Sequence, residues 1–131
     1  MMKTKTIRQT VLFKVSSHEV FEALMDSKKH SKFSGAKASI SRKIGGKFSV
    51  YNGYAAGKNL EIIPDKKIIQ SWCASDWDEA AISTVVFEFS TIKSGSRLQF
   101  THSQIPAEHA ESIAQGWKDF YWKPMKEMFS K

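Results

Sequence analysis

Four histidines, one cysteine and thirteen carboxylates are the groups here whose chemistry could reach beyond packing. His18, His30, His102 and His109 show no i,i+4 or short-range spacing of the kind that builds a metal site, and Cys73 alone cannot form a structural zinc centre. No glycine-flanked serine suggests a nucleophile, and Gly45-Gly46 is followed by no Gly-Lys-Ser/Thr ending, so it reads as a bend rather than a phosphate cradle. Reactive thiols need an electropositive setting, whereas Cys73 precedes the acidic loop Asp76–Glu79, so an inert thiol is expected. No metal, no cofactor and no catalysis follow as expectations.

His102 is the exception worth following. It continues the alternation of Leu98 and Phe100, so its side chain is expected on their face. Two roles are open to it: a hydrogen-bonded or wet strand-end histidine, or a polar handle that orients a ligand. A general base would need a partner and a substrate within reach, and the sequence names neither. His18 and His109 are expected on wet helix faces, and His30 in a lysine-rich turn. Phe33, Phe48, Trp72, Phe87, Trp117 and Tyr121 are either core or the lining of an apolar pocket. The difference is whether side-chain volume fills the space. Trp77 is either folded back on the sheet or exposed as an interface anchor.

The elements that would position these residues are legible in order. Residues 5–15 alternate, with Ile7, Val11, Phe13 and Val15 on the face that carries Gln9. Ser16 and Glu19 have capping-box spacing, and a short helix follows through Met25 with Val20, Phe21 and Leu24 inward. A second short helix or turn covers residues 27–33 and ends at Ser34-Gly35. Strand signals then run through Lys37–Arg42, Lys47–Tyr51, a hairpin at Asn52-Gly53 with its second strand from Tyr54 onward, Leu60–Ile63 up to Pro64-Asp65, Lys67–Cys73, Ser83–Phe89 and Arg97–Ser103. From Pro106 to Phe129 the spacing predicts one helix of roughly 35 Å. Its apolar stripe is Ala110, Ile113, Ala114, Trp117, Phe120, Tyr121 and Met128. Pro106 suits the first turn, Pro124 predicts a bend near 120–124, and Gly116 leaves room for a close neighbour or a bound molecule. The order is α+β: a curved antiparallel sheet of about six to seven strands around a long C-terminal helix, with two short helices after strand 1. One domain, residues 1–131, is expected.

Bulk properties exclude several classes. Hydrophobic residues make up 41% and charged ones 25%, an ordinary globular balance. No apolar run exceeds three residues, so neither a membrane span nor a signal peptide is expected. The net charge is +7, but the lysines and arginines are dispersed and no aromatic-glycine RNA signature accompanies them. A solvated basic surface is expected, with no nucleic acid and no membrane as partner. One cysteine suits a reducing, cytoplasmic setting.

Gly45-Gly46-Lys47-Phe48, Asn52-Gly53, Gly57, Ile63-Pro64-Asp65, Ile68, Trp72, Trp77, Ile105-Pro106 and Gln115-Gly116-Trp117 with Phe120-Tyr121 form a pattern over roughly Ile7 to Phe129. It resembles the domain family named after the activator of the heat-shock protein 90 ATPase. That family belongs to the helix-grip superfamily of birch-pollen allergens and START lipid carriers. The chain departs from the family pattern at Phe33, where Trp is frequent, at Cys73, where Arg is frequent, and at Pro124. The eukaryotic activator also carries a separate N-terminal domain, for which the residues before Thr4 leave no room. The leading expectation is a non-enzymatic domain that binds a small apolar or amphipathic ligand beneath the helix. Phe33, Phe48, Trp72, Phe87, His102, Trp117 and Tyr121 would line that cavity. The resemblance implies an alternative, a co-chaperone or ATPase activator acting on a heat-shock protein 90. A cyclase- or hydratase-like enzyme, as found elsewhere in the superfamily, is a third reading.

Overall fold

The computed structural model describes residues 3–78 and 81–130; Glu79, at the end of the expected acidic loop, lies outside them. Seven antiparallel strands form one sheet in the order β1-β7-β6-β5-β4-β3-β2. They are β1 (Thr4–Phe13), β2 (Ser39–Ile40), β3 (Lys47–Val50), β4 (Ala55–Ile63), β5 (Lys67–Ala74), β6 (Ser83–Ile92) and β7 (Gly95–Pro106). Helices α1 (Ser17–Met25) and α2 (Ser27–Ser34) connect β1 to β2. The chain ends in a rod made of a 3₁₀ turn (Ala107–His109), α3 (Ala110–Trp117), a π turn (Lys118–Trp122) and α4 (Lys123–Phe129).

The first strands and helices follow from local chemistry. Val11 and Phe13 are buried while Thr10 and Leu12, which alternate with them, are exposed, the period-2 pattern of a half-covered strand. Ser16 Oγ accepts the Glu19 N–H at 3.2 Å, as the capping spacing predicts. Asp26 caps α2 by accepting the Lys28 and Lys29 N–H groups. Gly35, at φ +68°, closes that helix in the left-handed conformation glycine tolerates.

Four boundaries differ from the sequence reading. The expected edge strand Lys37–Arg42 shrinks to Ser39–Ile40. The Asn52-Gly53 hairpin forms, but Val50 pairs with Ala55, so its loop has four residues. Tyr51 and Asn52 both take positive φ there, and Asn52 Oδ1 accepts the Lys37 N–H at 2.8 Å. Strand β4 starts at Ala55, one residue after the Tyr54 start expected, and Gly57 lets β5 approach it closely. A Cβ at Gly57 would lie 1.9 Å from the Ser71 carbonyl oxygen. Pro106 is the last residue of β7 instead of the first of the helix.

The largest correction concerns the terminal rod. Phe120, expected on the buried stripe, is 58% exposed, and Trp122 and Met125 are buried in its place. Pro124 explains the shift. It has no N–H to give the Phe120 carbonyl four residues back, so the helix widens instead of breaking. The Lys123 N–H reaches five residues back to the Lys118 carbonyl. That π turn spends an extra residue, and the inward stripe becomes Ala110, Ile113, Trp117, Tyr121, Trp122 and Met125. The freed Phe120 carbonyl accepts a hydrogen bond from Tyr51 Oη. The rod thereby lies across the sheet's concave side, against Phe87, Phe100 and His102.

Candidate functional site

Under the rod the interior is nearly full. Phe48, Phe87, Trp72, Trp117, Tyr121 and His30 are among the residues around a residual void of about 10 Å³. That is room for about one water. Around this void the space beneath the helix is occupied by side chains. Phe100 packs 4.5 Å from Trp117, and Tyr121 lies 4.4 Å from it, ring centre to ring centre.

His102 is the polar centre of this packing and is fully buried. Its Nδ1 accepts the Trp117 indole N–H at 3.0 Å, which places the ring proton on Nε2. Nε2 then donates to Ser83 Oγ at 2.7 Å, and Ser83 donates to the Trp72 carbonyl at 2.6 Å. Both ring nitrogens are used, so this histidine ties rod to sheet. Burial pushes its pKa down to about 3, so it stays neutral.

His30 corrects an expectation. The sequence places it in a lysine-rich turn, yet it is buried beneath the rod. Its Nδ1 donates to the Leu24 carbonyl at 3.3 Å, leaving Nε2 to accept from Tyr121 Oη at 3.1 Å. Burial lowers its pKa to about 4, against the opposing pull of the Leu24 carbonyl. Tyr121 is raised well above its ordinary value by burial and, secondarily, by Tyr51. Gln9 makes a third tie: its Nε2 donates to the Ala114 carbonyl at 3.0 Å and its Oε1 accepts the Trp122 indole N–H at 2.6 Å. A lone amide on the apolar face of β1 was the only sequence signal for this clamp.

The larger open space lies where the rod meets the β3–β5 part of the sheet. A cleft of about 470 Å³ is lined by Val50, Tyr51, Tyr54, Ala55, Trp72, Ser112, Ile113, Gly116, Trp117, Phe120 and Tyr121. None of these is a Lys, Arg, His, Asp or Glu. Exposed Tyr54 (41%) and Phe120 (58%) form its rim. Gly116 gives the cleft its depth: a Cβ there would meet only Phe120 Cδ2, at 3.8 Å. Tyr51 fixes the outer wall through its bond to the Phe120 carbonyl, and burial raises its pKa to about 12.

Of the seven residues expected to line a cavity, Trp72, Trp117 and Tyr121 border this cleft. Phe48 and Phe87 border only the small void. Phe33 packs on His30 and Tyr121, and His102 is enclosed in its hydrogen bonds; neither reaches the cleft. Trp77 is buried, folded back between Trp72 and His109, which stacks on it at 6.0 Å. His109 is thus partly covered, while exposed His18 pairs with Asp65 at 2.9 Å. Cys73 is half-buried. Among the described residues no group of three or more His, Cys, Asp or Glu is placed to hold a metal, and no helix is long and apolar enough to cross a membrane.

Residues 14–130 match the family described as Activator of Hsp90 ATPase homolog 1-like protein. The chain is 27% identical over 124 residues to activator of 90 kDa heat shock protein ATPase homolog 1 of Homo sapiens, covering 95% of this chain and 36% of that protein. It is 28% identical over 128 residues to the homolog of Dictyostelium discoideum, covering 97% of this chain and 33% of that protein. It thus spans about a third of the length of these curated relatives. A crystal structure of an Hsp90 activator from Plasmodium falciparum superposes with a TM-score of 0.85 at 28% identity, over 99% of this chain and 97% of that one. The Aha1 dimer of Colwellia psychrerythraea shares the fold, with a TM-score of 0.81 at 18% identity over 95% and 96% of the two chains.

Proposed function

Because this chain belongs to the family of Activator of Hsp90 ATPase homolog 1-like proteins, we propose that it is a non-enzymatic binding domain that docks on a heat-shock protein 90 and raises its ATPase turnover. The observation that carries the reading is where the free apolar surface lies. The interior is packed, and the cleft of about 470 Å³ opens at the surface between exposed Phe120 and Tyr54. Such a groove receives apolar side chains from a partner, and buried aromatic anchors supply much of the energy at protein interfaces. The Plasmodium falciparum protein, an Hsp90 activator of matching length, supports the same partner. The net charge of +7 favours salt-sensitive association with an acidic surface. Titrating the chain into a heat-shock protein 90 and following ATP turnover tests this. A saturable rise that Phe120→Ala weakens supports the reading, and unchanged turnover at saturating chain rejects it.

A second reading, a small apolar or amphipathic ligand in the same cleft, is favoured by the uncharged lining. The volume also falls within the usual range of ligand sites. A lining without a cation suits neutral molecules better than fatty-acid anions. Native mass spectrometry against a panel of both kinds tests that preference; retention of none of the panel members, with no thermal shift, counts against it.

A further inference from the structure

Beyond the cleft, the rod's opposite flank forms a second groove with a different chemistry. It has a volume of about 460 Å³ and runs between residues Gln9, Thr10 and Val11 of β1 and the helical residues Lys118, Trp122, Lys123, Lys126 and Glu127. It shares no lining residue with the cleft. Among the described residues β1 is the edge of the sheet, paired only with β7, so one side of a ten-residue strand is left without a neighbouring strand. An unpaired edge presents alternating N–H and C=O groups to any extended chain that approaches.

Charge decides which chain that is. Three lysines of the rod converge on this edge against a single acid, Glu127. On the strand itself Lys5 and Arg8 are exposed, and exposed Lys14 follows its end. Positive residues on an edge strand also serve to keep other strands away. That role needs charge on the strand alone; here a helix adds three more cations across a groove that has an apolar floor at Val11 and Trp122. A second copy of β1 is disfavoured, because both strands would bring Lys5, Arg8 and Lys14 to the pairing and neither carries an acid, and like charges across strands repel.

We infer that β1 accepts an extended acidic segment of a partner protein as an added strand, its carboxylates meeting Lys118, Lys123 and Lys126. The test is fluorescence anisotropy with a labelled ten-residue peptide of alternating glutamate and threonine, alongside the same peptide with lysine for glutamate. The glutamate peptide binds, loses at least tenfold in affinity between 50 and 300 mM salt, and slows hydrogen exchange of β1 amides. The triple variant K118E/K123E/K126E loses at least tenfold with an unchanged thermal melt; should that variant melt early, the single Lys123→Glu loses at least threefold. Absence of binding at 50 mM salt overturns the inference. So does equal binding of the lysine peptide, binding without protection in β1, undiminished binding by the lysine variants, or tighter binding of a duplex oligonucleotide than of the glutamate peptide.

Discussion

Acidification should loosen the grip on the terminal rod at its two buried histidines, and the size of the effect follows from their environments. An unhindered histidine titrates near 6.5. Burial lowers His102 to about 3 and His30 to about 4 in the folded chain. Below pH 6.5 the unfolded chain therefore takes up protons that the folded chain refuses. The stabilisation is complete above pH 6.5 and is lost as the pH falls toward the two folded values. At pH 5 the unfolded chain binds about two more protons than the folded one, which gives a slope of roughly 2–3 kcal/mol per pH unit. Between pH 7 and pH 5 the loss sums to about 4 kcal/mol, a large share of the 5–15 kcal/mol typical of a folded domain. Urea unfolding at pH 7, 6, 5 and 4.5 measures that slope directly. His102→Gln supplies the control. A glutamine amide can accept from the Trp117 indole and donate to Ser83 without titrating, so the slope at pH 5 should fall to about half. A wild-type slope under about 1 kcal/mol per unit, or an unchanged slope in the variant, refutes the assignment of these histidines as neutral ties.

Three further outcomes follow from the geometry. Gly116→Met fills the cleft while relieving the cost of a helical glycine, so stability should rise by about 1 kcal/mol in denaturant titrations, whereas binding at the cleft is lost. Tyr51→Phe removes the donor to the Phe120 carbonyl and should cost about 1 kcal/mol. In a Pro124→Ala background, where the new N–H can take that carbonyl, a double-mutant cycle should show a smaller penalty. Gly57→Ala drives a methyl into the Ser71 carbonyl and should destabilise by at least about 2 kcal/mol, seen as an early melt.

Much of the architecture was legible because its signals were local. The alternation of β1, the Ser16 cap, the glycine after α2 and the glycine-rich bends each act within a few residues. The rod's phase was not, although its cause was in plain view. Pro124 marks the carbonyl of Phe120 as orphaned, but a bend and a π turn both answer that need, and only the second rotates Phe120 outward. His30 was misplaced because a lysine-rich neighbourhood describes the outer face of a short helix and says nothing of its inner one. The cavity residues illustrate the limit of periodicity. Phe33, Phe48, Phe87 and His102 do face inward, but direction does not reveal whether neighbours fill the space. Gly116 was the better pointer: a missing side chain beside Trp117 marks where room is kept.

A packed helix-grip domain that presents its apolar cleft to a heat-shock protein 90, as proposed, binds that chaperone through the cleft. The most direct test is the affinity of that chaperone for the wild-type chain and for Gly116→Met, measured side by side. Saturable binding by the wild type is expected, with at least a tenfold loss in a variant that is as stable or more so. Equal affinities would place the contact elsewhere, and no binding by either chain would contradict the proposed partner.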